Sequence, residues 1–255
     1  MITLGIDVGS ITTKAALFID GALHSHKIIF TGYNVKEAAA RLREALFSEA
    51  KIEAAQSIKM VATGYGRNSV EFAHKTVTEI TCHARGAVFL HPGIRGVIDI
   101  GGQDSKAIAI DFNGKVTEFS MNDKCAAGTG RFLEVMARAM DADLETFACL
   151  GENAETSAKI SNVCTVFAES EVISLISKGM ERKNIVAGIN ESVASRVCSM
   201  VERLGLIEPI MMTGGVARNK GVVSAIEKKL GQALIISELS QITGAIGAAL
   251  FAEEL

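Results

Sequence analysis

The chain has 255 residues, which is enough for one large domain or for two of about 100–150 residues. Hydrophobic residues make up 48% and charged residues 22%, an ordinary globular composition that excludes intrinsic disorder. The formal net charge of −3 lacks the basic footprint of a general nucleic-acid binder.

The sequence shows no sign of a membrane or secretory protein. No stretch approaches the ~18 consecutive apolar residues of a membrane span. The first ten residues, MITLGIDVGS, have no basic segment and contain Asp7, so they do not resemble a signal peptide. We therefore expect a cytoplasmic protein without membrane contact. The five cysteines are an odd number, and cytosolic thiols are usually kept reduced, which argues against a disulfide framework.

The first thirty residues predict three strands joined by tight turns. Strand-forming residues run over 2–8 and 12–19, with a glycine-serine break between them. An Asp-Gly pair at 20–21 is a strong hairpin signal, and residues 22–30 form the return strand.

A similar series of strands is predicted in the middle of the chain. It again has a glycine break after an aspartate, followed by an Asn-Gly turn signal. Aligned without gaps, Asp7 matches Asp99 and Lys14 matches Lys106, which indicates a duplication. The predicted strands are 96–100, 105–112 and 115–121.

The duplication predicts an α/β fold of two similar halves. We expect residues 1–94 to form the first half and 95–255 the second, with the C-terminal helix able to pack back on the first half. Helical periodicity and short apolar runs supply the other elements. Helices are predicted over 35–50, 130–140, 165–178, 185–204, 221–230 and 244–254, and strands over 57–62, 210–213 and 233–236.

The first loop, residues 7–14, has the residue types of a phosphate and metal site. Gly9 lets the backbone approach a ligand closely, and successive backbone N–H groups in such a turn bind anions. Lys14 adds a positive charge for phosphate. Asp7, at the strand end, is a candidate catalytic residue that holds Mg²⁺ directly or through water. The candidate nucleotide contacts here are Ser10, Ile11, Thr12, Thr13 and Lys14.

The second loop, residues 99–104, is expected to face the first if the halves fold alike. Asp99 and Asp104 offer contacts to metal-bound water, and Gln103 is suited to orient an attacking water. Gln103 and Asp104 are therefore candidate catalytic residues. Either loop alone is explained by a structural hairpin, but the pair favours phosphate binding. The candidate nucleotide contacts here are Asp99, Gly101, Gly102 and Gln103.

A third glycine cluster, at 212–219, follows a predicted strand and precedes a helix. It suits close contact with a flat ring or a sugar. The sequence contains neither a P-loop motif nor a complete dinucleotide-binding glycine motif. The candidate adenosine contacts are Gly214, Gly215, Ala217, Asn219 and Gln241.

Cys125 and Cys164 each precede a predicted helix, where the helix dipole and unpaired N–H groups stabilise a thiolate. Two such cysteines favour a shared anionic centre, yet two thiolates cannot fill a four-coordinate metal site. The other ligands would come from a second copy of the chain across a two-fold axis. Spacing alone leaves open that both are ordinary thiols. The remaining cysteines are interpreted as core residues: Cys149 and Cys198 in helical patterns, and Cys82 beside His83.

Together these motifs resemble a known superfamily and one family within it. The paired Asp-x-Gly loops and TGGVA at 213–217 are similar to those of the acetate and sugar kinase, heat-shock chaperone and actin superfamily. NDKCAAGTGRFLE at 122–134 and CTVFAESEVIS at 164–174 closely resemble the ATP-dependent activators of 2-hydroxyacyl-CoA dehydratases. That family includes benzoyl-CoA reductase ATPase subunits and the reductases of double-cubane cluster proteins. The resemblance covers essentially the whole chain.

This resemblance implies an α/β fold of two duplicated actin-like halves, with mixed sheets and flanking helices. It also implies a homodimer with one subunit-bridging 4Fe-4S cluster, held by Cys125 and Cys164 of each chain. ATP or ADP and Mg²⁺ are the other cofactors implied. Such activators of anaerobic metabolism couple ATP hydrolysis to one-electron transfer at low potential. The donor is a reduced ferredoxin or flavodoxin, and the acceptor is an iron–sulfur dehydratase or reductase.

Two other functions are compatible with the same fold. One is a sugar-kinase-type phosphotransferase, and the other is a regulatory ATPase in which the cysteines are merely buried. A kinase would usually carry an aspartate base in a substrate pocket, and it would not need paired cysteines at helix starts. The sequence does not identify the partner protein or its substrate.

Overall fold

The structure is a computed structural model that describes residues 1–52, 57–151, 153–205 and 207–255. Within these ranges the strands form two five-stranded sheets. The strands are β1 (Ile2–Val8), β2 (Thr12–Ile19), β3 (Ala22–Phe30), β4 (Ile58–Thr63), β5 (Lys75–Thr76), β6 (Gly96–Ile100), β7 (Ser105–Ile110), β8 (Val116–Asn122), β9 (Ile210–Thr213) and β10 (Ile235–Ile236). The helices are α1 (Val35–Glu49), α2 (Glu79–Leu90), α3 (Gly130–Ala139), α4 (Leu144–Leu150), α5 (Thr165–Ser177), α6 (Arg182–Leu204), α7 (Lys220–Leu230) and α8 (Thr243–Ala252).

The two sheets have the same topology. The strand order is β3-β2-β1-β4-β5 in the first sheet, and β8-β7-β6-β9-β10 in the second when it is read from the corresponding edge. Each sheet therefore consists of a three-strand meander followed by two strands that come later in the chain. This repeat confirms the predicted duplication of an α/β unit with a mixed sheet.

The chain divides into two compact units, each built from segments that are distant in sequence. The first unit contains Met1–Val97, Ala109–Thr117 and Ser237–Leu255. The second contains Ile98–Ile108 and Glu118–Ile236. Helix α8, the last of the described helices, thus belongs to the unit that begins at Met1.

In the first unit, strand β1 positions the first loop. It pairs antiparallel with β2, in a register that sets Asp7 opposite Lys14, and parallel with β4. Gly5 lets α8 approach this strand, because a Cβ at this position would lie 2.0 Å from the backbone oxygen of Ala245. The apolar core beneath the sheet includes Leu4, Ile6, Leu17, Leu42 and Leu46.

In the second unit, the 23-residue helix α6 contributes many of the buried core residues. They share one cluster with Phe132 of α3 and Phe147 of α4, and Cys125 packs against that cluster. The helix ends at Gly205, whose φ of 58° is the left-handed conformation that closes many helices. The same core therefore supports the strands of the second loop and one of the two candidate cysteines.

Most of the predicted elements are confirmed. The strands expected at 2–8, 12–19, 22–30, 96–100 and 210–213 have those bounds, and the expected helices agree within one turn. The sequence analysis missed α2 and α4. Helix α2 buries mainly small residues, so it lacks the stripe of large apolar side chains that identifies an amphipathic helix. Among the described residues, no helix has the length and apolar character that crossing a membrane requires.

The prediction that Cys149 is a core residue is wrong, because its side chain is exposed. Helix α4 buries Phe147, and a residue two positions later lies about 200° further around a helix. Cys82 and Cys198 are buried as expected. Burial raises the pKa of the Cys82 thiol to about 12 and that of Cys198 to about 11, so neither is a reactive thiolate.

Candidate functional site

The first loop is a tight turn between β1 and β2 that carries a buried ion pair at its base. The Asp7 carboxylate is 2% exposed, and its Oδ2 lies 3.3 Å from the Nζ of Lys14. The N–H of Gly9 donates to the oxygen of Thr12 at 3.1 Å. A Cβ on Gly9 would lie 2.8 Å from that oxygen, so the turn requires glycine.

The Asp7 carboxylate also has one oxygen that lacks a hydrogen-bond partner among the described residues. This oxygen is Oδ1, which is buried. A Cβ on Gly64 would lie 2.4 Å from this atom, and one on Gly244 would lie 3.0 Å from Oδ2. The two glycines thus let the backbone pack closely around this carboxylate, whose unpaired buried oxygen is costly unless a ligand compensates it. A hydrated divalent cation fits this donor.

The second loop repeats this arrangement with a stronger ion-pair network. The Nζ of Lys106 lies 3.3 Å from Asp99 Oδ2 and 2.7 Å from Asp104 Oδ2. Thr213 donates its hydroxyl to the other oxygen of Asp99 at 2.9 Å. Gln103 is exposed at the loop. Lys106 is not among the predicted site residues, although its alignment with Lys14 in the repeat is a signal for it.

Lys106 is only 1% exposed, whereas the side chain of Lys14 is 16% exposed. We expect Lys106→Met to lower the free energy of unfolding by about 3–5 kcal/mol, because it leaves the buried Asp99 carboxylate and the partly exposed Asp104 carboxylate without their shared cation. The measurement is urea unfolding followed by circular dichroism. Lys36→Met is the control, since Lys36 forms an exposed pair with Glu71 and should leave the midpoint unchanged. Equal midpoints for both variants would contradict the structural role of Lys106.

The third glycine turn lies directly against the second loop. Gly214 has a φ of 85°, and a Cβ there would lie 2.3 Å from the oxygen of Ile100 and 2.9 Å from Asp99 Oδ1. Asn219 caps helix α7, since its Oδ1 accepts a hydrogen bond from the N–H of Val222 at 3.1 Å. Ala217 is buried and Gly215 is exposed. The remaining adenosine candidate, Gln241, lies in the first unit, in the 3₁₀ turn before α8.

An open cavity of about 860 Å³ is lined in part by Lys220, the residue that follows Asn219. Helices α6 and α7 and the segment after α4 line it, with Asn190, Lys220, Gly221 and Ser224 among the residues. Asn190 is only 4% exposed, and its Oδ1 has no hydrogen-bond partner among the residues that the structure describes. The cavity thus offers a buried acceptor beside the third glycine turn.

The two candidate cysteines lie in neighbouring segments of the second unit. Cys164 is the N-cap residue of α5, and Cys125 lies between β8 and α3. The Sγ of Cys125 donates to the oxygen of Val163 at 3.5 Å, so its side chain reaches the residue that precedes Cys164. Both cysteines are partly exposed. The structure therefore brings the Cys125 thiol to the backbone of the segment that carries Cys164.

Two backbone hydrogen bonds join the second loop to the helix after Cys125. The N–H of Gly130 donates to the oxygen of Gly101 at 2.9 Å, and the N–H of Arg131 donates to the oxygen of Gly102 at 2.8 Å. The first N–H groups of a helix have no acceptor within the helix, and here the carbonyl groups of the second loop accept two of them. Sequence analysis missed this link, because it depends on backbone atoms rather than on residue types.

The repeated sheets, the two Asp-x-Gly hairpins and the adjoining glycine turn define an actin-like ATPase fold. The sequence profile of the BadF/BadG/BcrA/BcrD ATPase family matches residues 4–252, and the chain belongs to this family. The predicted resemblance is therefore confirmed.

Similar proteins agree with this assignment. The activator of lactoyl-CoA dehydratase from Anaerotignum propionicum is 48% identical over 255 residues, which cover 100% of this chain and 98% of that protein. The solved activator of the 2-hydroxyisocaproyl-CoA dehydratase from Clostridium difficile, with bound ADPNP, has a TM-score of 0.94 and 43% identity. That match covers 100% of this chain and 95% of the other. A ROK family glucokinase from Streptomyces griseus has a TM-score of 0.61 at 15% identity, with both chains fully covered, and shows the shared fold alone.

Proposed function

We propose that this protein is a cytoplasmic activator that uses ATP to drive one electron at low potential into a partner iron–sulfur dehydratase or reductase. The observation that carries the proposal is the direct hydrogen-bonded link between the second loop and the helix that follows Cys125. The link gives a nucleotide-binding loop a physical connection to a pair of neighbouring thiols. Relatives named as dehydratase activators support the same assignment.

Each of the two units carries its own proposed nucleotide contacts. Asp7 has a buried oxygen without a partner among the described residues, which suits it to hold Mg²⁺ through water. Lys14 would contact phosphate, and Gln103 and Asp104 would orient the attacking water. The cavity beside Asn219 would take the adenine, with Asn190 Oδ1 accepting from its amino group. The other proposed contacts are Ser10, Ile11, Thr12, Thr13, Asp99, Gly101, Gly102, Gly214, Gly215, Ala217 and Gln241.

The cysteine pair fits half of a 4Fe-4S site. Cys125 and Cys164 are partly exposed thiols in touching segments, and Cys164 is the N-cap of α5, where the helix dipole stabilises negative charge. Thiolates are the usual ligands of such clusters, which carry one electron when bound. Two ligands are missing from one chain, so we propose that a second copy provides them. The donor would be a reduced ferredoxin or flavodoxin.

Exposed apolar side chains around Cys164 support this homodimer. Val163, Val166 and Phe167 are 65%, 64% and 63% exposed, and Ile173 is 56% exposed on the same helix. Single exposed apolar residues are ordinary, but a concentration of them beside one cysteine indicates a surface that is covered in the assembly.

Loss of iron is expected to weaken the dimer, because metal that binds across an interface adds to the free energy of association. Sedimentation velocity at micromolar protein concentration, before and after anaerobic chelation, measures this effect. We expect a dimer with cluster and a larger monomer fraction without it. A cluster-loaded monomer would contradict the shared site.

Colour and electron paramagnetic resonance test the proposed function as a whole. Anaerobically purified protein should be brown and should show a 4Fe-4S signal after reduction by dithionite. A sugar-kinase-type phosphotransferase or a regulatory ATPase of the same fold would be colourless. A colourless protein that stays without iron after reconstitution would overturn the proposal.

A further inference from the structure

Helix α6 carries a side chain that bonds both to the Cys125 segment, residues 122–129, and to the Cys164 segment, residues 161–164. The guanidinium of Arg196 lies 3.4 Å from the oxygen of Asn162 through one terminal nitrogen and 3.3 Å from Asn122 Oδ1 through the other. Asn162 precedes Cys164 by two residues, and Asn122 precedes Cys125 by three. Within the ranges that the structure describes, no other side chain outside the two segments is recorded with hydrogen bonds to both.

Asn122 extends the reach of this contact into the Cys125 segment. Its side-chain nitrogen donates to the oxygen of Cys125 at 2.9 Å and to the oxygen of Ala127 at 3.0 Å. The amide thus folds the backbone around Cys125, while its oxygen accepts from Arg196. A change at Arg196 is therefore transmitted to the backbone of the cysteine itself.

The backbone around Arg196 is adapted to its alkyl stem. Gly128 has a φ of 83°, and a Cβ there would lie 2.9 Å from Arg196 Cγ and 3.2 Å from its Cβ. A side chain at position 128 would therefore displace the arginine. Gly128 therefore leaves space for the Arg196 side chain, which joins the two segments.

Ser192 lies one helical turn before Arg196, on the same face of α6. Its hydroxyl donates to the oxygen of Ser161, in the Cys164 segment, at 3.1 Å. One face of α6 thus supports the Cys164 segment at two points, and of these two side chains Arg196 also bonds to the Cys125 segment. This difference makes Ser192 a natural comparison.

We infer that Arg196 is a positioning residue that holds Cys125 and Cys164 in register and places a fixed positive charge beside their metal centre. The inference rests on the proposed function. Two hydrogen bonds from one planar group fix the relative position of two segments better than two separate contacts. Each bond is long and therefore individually weak. The important feature is that one guanidinium donates to both segments.

The charge of Arg196 has a second consequence. A thiolate-bound cluster is anionic, and reduction adds another negative charge. A nearby cation therefore favours the reduced state and raises the reduction potential.

The test compares Arg196→Gln, Arg196→Lys, Ser192→Ala and Arg182→Gln in the full-length protein. Arg182 is the control on the same helix, because it donates to the backbone oxygens of Met140 and Asp141, away from both cysteine segments. Redox titration followed by electron paramagnetic resonance measures the potential. Iron release to a chelator measures how firmly the ligands are held.

We expect Arg196→Gln to retain a cluster with a more negative potential, by about tenfold in the equilibrium constant or 59 mV. Its iron release should be about tenfold faster. Arg196→Lys should recover the potential but not the slow release, since an ammonium cannot span both acceptors. Ser192→Ala should accelerate release without moving the potential, and Arg182→Gln should change neither. A wild-type potential and release rate in Arg196→Gln would overturn the inference.

Hydrogen exchange of the metal-free protein separates this inference from the proposed function. Arg196→Gln should increase exchange at residues 123–130 and 162–168 together, whereas Ser192→Ala should affect the second range alone. Unchanged exchange in Arg196→Gln overturns the bridging role whether or not iron binds. If the wild-type protein binds no iron while Arg196→Gln still increases exchange in both ranges, the proposed function and the effect on potential are overturned. The bridging role of Arg196 is then still supported.

Discussion

Replacing Cys125 or Cys164 by alanine is expected to abolish the brown chromophore and all electron transfer to the acceptor. Each residue would supply one thiolate per chain, so a dimer of either variant loses two of four ligands. Nucleotide binding should survive, because neither cysteine lies in a glycine loop. Iron analysis, visible absorption and fluorescent-nucleotide titration on the same preparations measure the three properties.

Cys149→Ala is the matched control for these variants. Cys149 is exposed and lies in α4, outside both cysteine segments. It should retain full colour and full transfer. Wild-type iron content in Cys125→Ala or Cys164→Ala would contradict the ligand assignment, as would a loss of colour in Cys149→Ala.

Replacing Lys14 by alanine is expected to give the opposite pattern. ATP hydrolysis should fall by about a hundredfold or more, because a preorganised charge beside the phosphates is lost. The cluster should remain, and dithionite should still reduce it, since Lys14 lies in the first unit and the cysteines lie in the second. Steady-state phosphate release and the reduced cluster signal measure the two outcomes.

Lys27→Ala controls for the loss of a lysine from the same sheet. Lys27 lies on β3 and pairs with Glu49 at the surface, so its removal should leave hydrolysis unchanged. Thermal unfolding without nucleotide shows whether Lys14→Ala is folded. A folded Lys14→Ala protein with wild-type hydrolysis would remove the first loop from the nucleotide site.

The sequence predicted the fold well because its signals are local and repeated. Strands that end in an Asp-x-Gly turn and return through an Asp-Gly or Asn-Gly hairpin can be recognised from neighbouring residues. The pairing of Asp7 with Lys14 follows from the register of such a hairpin. The same reasoning applied to Asp99 and Lys106, although it did not show that Lys106 is fully buried between two carboxylates.

Other features depend on contacts between distant residues. Arg196 and Asn122 are 74 positions apart, and no local pattern connects them. The bonds from Gly130 and Arg131 to the second loop use backbone atoms, which carry no residue signature. Cys149 was misjudged because a short helix with one buried residue gives too little periodicity to assign its faces.

Together these features explain how nucleotide and thiols would act on one another. Helix α3 starts on the second loop, and the segment before it carries Cys125. A movement of the loop on nucleotide binding would act first on the backbone near Cys125. A ligand can drive such a change only through its different affinity for the two conformations. Forwarding an electron to a lower-potential acceptor is uphill, by about tenfold in equilibrium constant per 59 mV.

The most direct test of this account is single-turnover reduction of the acceptor by a pre-reduced activator, with and without MgATP. The acceptor is a purified iron–sulfur dehydratase of the 2-hydroxyacyl-CoA class, followed by its own absorption change. We predict transfer with MgATP and none without it, and none with Lys14→Ala under either condition. Full-rate transfer in the absence of ATP would show that nucleotide does not gate the electron and would contradict the account.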